Sequence, residues 1–143
     1  MQVTLHLQAQ NLPDSETFGI PDPYFQVFLG EELLHTSEVG KDTNELVQWE
    51  PAVFEIPMAN AIFQKVTVRI LDKDTFSNDD MLVEFEIRWP FRKRVYSVGD
   101  TGIKIAVLND DGEVPDEEQE ADVPGESFMD KLKLGKKLLE FFV

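Results

Sequence analysis

Cysteine is absent from the 143-residue sequence, and histidine occurs only twice, at His6 and His35. The lack of cysteine excludes disulfides, cysteine-ligated zinc and a thiol nucleophile. With two histidines, a histidine-based metal site or general base is nearly excluded too. No apolar run approaches the roughly 18 residues of a membrane span, and residues 1–20 lack the features of a secretory signal. We therefore expect a soluble, cytoplasmic protein.

Basic residues are also scarce, with 13 Lys and Arg against 28 Asp and Glu, which gives a formal net charge of −15. Residues 110–126 contain nine acidic residues and no base, and residues 1–109 alone carry a net charge of −8. A nucleic-acid-binding protein needs a basic face that attracts phosphates. Nucleic acid is therefore not expected as a partner.

Hydrophobic and polar residues alternate through residues 1–109, beginning with Val3, Leu5 and Leu7. Period-two alternation is typical of strands that are buried on one face. It predicts eight strands, near 3–8, 24–29, 33–38, 49–56, 65–71, 81–89, 94–98 and 102–108. Several short strands separated by turn residues favour an all-β sandwich or barrel.

Beyond residue 109 the composition changes twice. Residues 110–126 combine like charges with Pro115 and Pro124, which predicts a flexible acidic linker. In residues 127–143 hydrophobic side chains recur near helical spacing, and Ser127 with Asp130 suits a helix start. We therefore predict a short amphipathic C-terminal helix, and this helix is a candidate surface for a protein partner.

Carboxylates concentrate in two loops, one before the second predicted strand and one after the fifth. The first loop offers Asp14, Glu16 and Asp22. The second offers Asp72, Asp74, Asp79 and Asp80, with Ser77 between them. Carboxylates that converge are unfavourable unless a cation lies among them, and oxygen ligands without His or Cys select calcium rather than zinc or copper.

The segments NLP, PDPYFQVFL and DKDTFSNDD, together with Trp49, resemble a C2 domain over about residues 1–109. The resemblance implies an eight-stranded antiparallel Greek-key β-sandwich with Ca²⁺ bound between two loops at one end. The calcium ligands that it implies are Asp22, Asp72, Asp74 and Asp80, with Ser77 assisting. The first-loop ligand would be Glu16, with Asp14 as the alternative.

Three features bear on how far this resemblance extends. No strand precedes the NLP strand, so the segment Gly102 to Leu108 is expected to close the sheet, similar to the permuted topology of phospholipase C and novel protein kinase C. Val83 stands where the family usually has glycine, and the Asn-Pro before Trp49 is missing. The segment EELLHTSEVG is acidic where some members carry lysines that bind phosphoinositides.

The resemblance implies a membrane-targeting module without catalytic activity, which binds anionic phospholipid membranes when calcium neutralises its loops. Phe18 and Phe76 are the side chains expected to contact the membrane. The alternative is a calcium-independent scaffold that binds proteins through the sandwich and the C-terminal helix. The basic run Arg92 to Arg94 either contacts phosphate groups or is an ordinary solvated surface before a strand.

Overall fold

The computed structural model of the protein describes residues 1–13, 22–43, 46–57, 65–73, 78–113 and 115–124. Within these residues the chain forms only strands, turns and irregular segments, in agreement with the predicted all-β class. The strands are β1 Gln2–Leu5, β2 Leu7–Gln10, β3 Pro23–Leu29, β4 Glu32–Thr36, β5 Lys41–Thr43, β6 Leu46–Gln48, β7 Ala52–Glu55, β8 Lys65–Asp72, β9 Asp80–Arg88, β10 Arg94–Val98, β11 Ile103–Val107 and β12 Glu118–Glu120. In the part of the chain described, no helix is long and apolar enough to cross a membrane.

The strands form two main sheets. One sheet has four strands in the order β4-β3-β8-β9, all antiparallel. The other has six strands in the order β12-β10-β11-β2-β6-β5. The pair β1–β7 continues from this second sheet, since only His6 separates β1 from β2. These sheets are consistent with a C2 β-sandwich.

The core lies between the sheets because alternate side chains of each strand are buried. In β8, Val66, Val68 and Ile70 are fully buried, while Thr67 and Arg69 between them are not. The rings of Phe25 and Trp49 pack in a T-shaped arrangement, with 5.3 Å between the ring centroids. The alternation of hydrophobic and polar residues therefore predicts the core faces of the strands correctly. Burial of these faces is the main stabilising contribution in a sandwich.

The structure differs from the eight predicted strands in its details. The first predicted strand is divided at His6, and the short strands β5, β6 and β12 were not predicted. The segment expected to close the sheet is β11, which pairs with β2 in antiparallel register, Val107 opposite Leu7. Its relation to the permuted members of the family stays a prediction. The helix predicted for residues 127–143 lies outside the described residues.

Residues 117–122, here called the acidic strap, differ from the flexible linker that their composition predicts. They include β12, which pairs in parallel with β10. Asp122 forms an isolated bridge to Glu86 of β9, and Ala121 is buried. The strap pairs with the sheet because it lies beside an open strand edge and beside basic side chains. Glu117 pairs with Arg94, Glu118 with Lys104 and Asp122 with Lys65.

Candidate functional site

Three of the predicted site carboxylates meet at one end of the four-stranded sheet, here called the carboxylate end. Asp72 is the last residue of β8, and in the sheet register it lies opposite Pro23 on one side and Asp80 on the other. Asp22 directly precedes Pro23. Because β3 and β9 both run antiparallel to β8, the start of each lies beside the end of β8. The sheet register therefore places Asp22, Asp72 and Asp80 at the same end of the sheet.

Asp72 differs from its neighbours because it is buried, with only 2% of its surface exposed, whereas Asp22 and Asp80 are exposed. Its Oδ1 accepts a hydrogen bond from the backbone N–H of Asp22 at 2.8 Å. The backbone N–H of Lys73 donates to the carbonyl oxygen of Asp22 at 3.0 Å. A buried carboxylate is tolerated when donors satisfy its oxygens. Asp72 thus fixes the position of Asp22 as well as its own.

The start of β3 is held from a second direction. The carbonyl oxygen of Pro23 accepts hydrogen bonds from Trp49 Nε1 at 3.1 Å and from the backbone N–H of Gly40 at 2.7 Å. Gly40 has no room for a side chain, since an added Cβ would lie 2.5 Å from Val47 Cγ1 and 2.6 Å from Trp49 Nε1. Asp22 therefore projects from a backbone that is anchored on both sides.

Tyr24 and Asp79 form an interaction that sequence reasoning missed. The Tyr24 hydroxyl donates to Asp79 Oδ2 across the carboxylate end. Burial, together with this hydrogen bond and the negative charge of Asp79, raises the pKa of Tyr24 to about 12. The available signal was the tyrosine that follows Asp22 by two residues, which places its side chain on the same face of β3.

The other predicted site residues, Asp14, Glu16, Phe18, Asp74, Phe76 and Ser77, lie outside the described residues. Among the residues that are described, no group of three or more acidic or histidine side chains could hold a metal ion. Calcium binding by Asp22, Asp72, Asp80 and the loop residues therefore stays a prediction. Their oxygen donors have the chemistry that calcium prefers, and a complete site would need ligands from the two loops.

Comparison with known proteins gives the family. The model of the C2 domain family matches residues 2–112, which is most of the chain. The chain belongs to the C2 domain family, as the loop motifs around Asp22 and Asp72 indicated.

The individual proteins and structures that match the chain have low sequence identity to it. A C2 and GRAM domain-containing protein from Arabidopsis thaliana is 30% identical over 82 residues, which cover 57% of this chain and 8% of that protein. The solved structure of a C2 domain has a TM-score of 0.51 at 24% identity, covering 73% of this chain and 92% of its own. The structure of BON1-C2B has a TM-score of 0.56 at 11% identity, and the match covers 74% of this chain and 87% of the other. At these identities the two structures support the fold alone.

Proposed function

We propose that this C2 domain is a non-catalytic targeting module that binds anionic phospholipid membranes in response to calcium. The observation that supports the proposal best is the position of Asp22, Asp72 and Asp80 at the same end of the sheet, where both carboxylate-rich loops begin or end. In the proposed site Asp74 and Ser77, with Glu16 or Asp14, complete the ligand set. The compartment proposed is the cytoplasm, with peripheral attachment to a membrane.

Calcium would act here through charge. The protein carries a net charge of −15, and anionic lipid repels such a surface within a Debye length of about 8 Å. A divalent ion held by the loop carboxylates reverses the local sign and offers open coordination positions to lipid phosphate oxygens. The residues of this chain hold and orient the ion, and the buried Asp72 keeps the strand ends in place.

Calorimetric titration with calcium tests the metal site without any lipid. We expect saturable binding in the micromolar range or weaker, as is common for exposed carboxylate loops. Asp22→Asn with Asp80→Asn should abolish it, since both side chains are exposed and their loss leaves the buried Asp72 intact. Asp111→Asn, an exposed aspartate in the turn after β11, is the matched control. Absent binding in the wild type, or unchanged binding in the double variant, would contradict the site.

A calcium-independent scaffold is the second candidate. It is supported by the hydrogen bond from Tyr24 that already engages Asp79, a carboxylate of the second loop. In this case partners would bind the sandwich surface and the C-terminal helix. The calcium titration separates the two proposals, because a scaffold has no need of a saturable calcium site.

A further inference from the structure

The acidic strap covers an edge of the six-stranded sheet that would otherwise be open. Its strand β12 is the outermost strand of the sheet, and it pairs with β10 only from Val95 to Ser97. Without the strap, β10 would present the backbone N–H and C=O groups of its outer edge to solvent. Such an edge is a template on which another extended chain can pair. The β10 edge is therefore an interaction surface whose present occupant comes from the same chain.

The strap is attached mainly by contacts that another segment could reproduce. The backbone N–H of Val95 donates to the carbonyl oxygen of Glu117 at 2.8 Å, and that of Ala121 donates to Ser97 at the same distance. These bonds depend on the backbone and not on the side chains of the strap. Ala121 is buried, whereas the residues from Glu117 to Glu120 are exposed. A segment with so little buried surface opens at a low free energy, so a competing segment can displace it.

The side chains beside the β10 edge select the charge of a segment that pairs there. Arg94 Nη2 lies 3.1 Å from Glu117 Oε2, and Lys104 Nζ lies 3.6 Å from Glu118 Oε2. The Ser97 hydroxyl also donates to Glu118. Complementary charges at the rim of an interface contribute more to specificity and to the rate of association than to affinity. The edge therefore favours an acidic segment over a neutral or basic one.

One position of the strap leaves space beside it. Gln119 lies opposite Tyr96 in the parallel register, so the two side chains share a face of the sheet. Tyr96 is buried but Gln119 is exposed, and both line a cavity of about 520 Å³ together with Trp89 and Pro90. Three arginines and three carboxylates also line this cavity, so its charges do not select an ion of one sign. An aromatic side chain at the position of Gln119 would pack there against Trp89 and Tyr96.

We propose that the β10 edge is a docking site for an extended acidic segment of another protein, and that the strap occupies this site until such a segment displaces it. The segment pairs in parallel with β10 and places acidic side chains beside Arg94 and Lys104. It carries an aromatic residue at the position of Gln119 and a small residue at the position of Ala121. Docking here needs no calcium, so it is independent of the function proposed for the carboxylate end.

The test uses a fluorescent peptide of residues 115–124 and the full chain carrying Ala121→Glu, which places a charge in the buried position and detaches the strap. Anisotropy in a calcium chelator measures binding. We expect the peptide to saturate this variant and to bind the wild type about tenfold more weakly, because the strap occupies the edge there. A peptide with Gln119→Phe should bind the variant about fivefold more tightly, since its ring enters the cavity. A peptide with Ala121→Glu is the matched control and should bind about tenfold more weakly.

Amide hydrogen exchange locates the bound peptide. The N–H of Val95 should lose its protection in the Ala121→Glu chain and regain it when the peptide is added, while the β3–β8 ladder stays protected throughout.

A second variant keeps the test independent of the buried position. Glu117→Lys with Glu118→Lys detaches the strap by repulsion from Arg94 and Lys104, and it should bind the peptide as Ala121→Glu does. The proposal is overturned if the peptide saturates neither variant, if it binds the wild type as tightly as the variants, or if bound peptide leaves Val95 unprotected. Equal affinity of the original and the Gln119→Phe peptides would overturn the aromatic position.

Discussion

At the carboxylate end, the hydrogen bond from the Tyr24 hydroxyl to Asp79 connects the start of β3 to the residue before β9. The pKa of an unperturbed tyrosine is 10.0, and the pKa of Tyr24 is raised to about 12, chiefly by burial and then by Asp79. Because the folded value is the higher one, Tyr24 favours the folded state fully below pH 10, and this contribution is lost as the pH rises to about 12. The stability of the wild type should therefore fall across this window.

Ultraviolet titration of tyrosine ionisation measures this shift. Asp79→Asn should lower the midpoint assigned to Tyr24, since the variant removes the negative charge and weakens the hydrogen bond. Tyr24→Phe is the control that leaves only Tyr96, whose own pKa is raised by burial. A Tyr24 midpoint near 10 in the wild type would contradict the observed hydrogen bond.

Gly40 is a second residue at which a substitution should have a measurable effect, here on stability. Gly40→Ala should reduce the free energy of unfolding by about 1–3 kcal/mol, because the new Cβ would contact the buried side chains of Val47 and Trp49 at less than 3 Å. Urea denaturation measures the effect. Val39→Ala, next to it and 40% exposed, should stay within about 0.5 kcal/mol of the wild type. Equal stability of Gly40→Ala and wild type would show that Trp49 has room to move.

Among the elements, the acidic strap shows how a charged segment joins a sheet. The backbone N–H of Val95 donates to Glu117 O, that of Ala121 to Ser97 O and that of Glu86 to Asp122 O, at 2.7–2.8 Å. The strap therefore connects β10 of one sheet to β9 of the other. Exposed ion pairs contribute little individually, so the main-chain bonds and the burial of Ala121 provide most of the attachment.

Ala121→Glu should detach the strap, since an unpaired charge in a buried position is strongly unfavourable. Amide hydrogen exchange then reports the change: protection should be lost at Val95 and Glu86, and kept along the β3–β8 ladder. Glu120→Ala alters an exposed residue of the same acidic strap and should leave protection unchanged. If the amides of Val95 and Glu86 stayed protected in Ala121→Glu, their protection would not depend on the strap.

For the whole molecule, the distribution of charge and the position of the loops govern the expected membrane behaviour. Without calcium, the acidic body and the acidic strap should keep the protein away from anionic vesicles. With calcium, we expect attachment through the loops at the carboxylate end, weakened by added salt.

Co-sedimentation with phosphatidylserine vesicles, with calcium and with chelator, tests this expectation. Phe76→Ala should weaken binding in calcium about tenfold or more, because an inserted aromatic ring contributes on the order of 1–3 kcal/mol. Phe91→Ala changes a half-buried aromatic residue between β9 and β10, at the other end of β9 from the carboxylate end, and is the control. Equal binding in calcium and chelator would indicate attachment by the lysine-rich C-terminal segment, and no binding in either condition would favour the scaffold.

The sequence by itself determined the all-β class, the alternate buried residues of strands such as β8, and the two carboxylate loops of the family. These are local properties: the period of two depends only on strand geometry, and the motif around Asp22 lies in consecutive residues. Only the tertiary structure decided what depends on partners distant in the chain. It paired Asp72 with Asp22 and Asp80, buried one carboxylate of the three, and joined Tyr24 to Asp79. It also placed the acidic strap on β10, because the strand edge there offers main-chain hydrogen bonds and a buried position for Ala121, while Lys65, Arg94 and Lys104 lie opposite the acidic side chains.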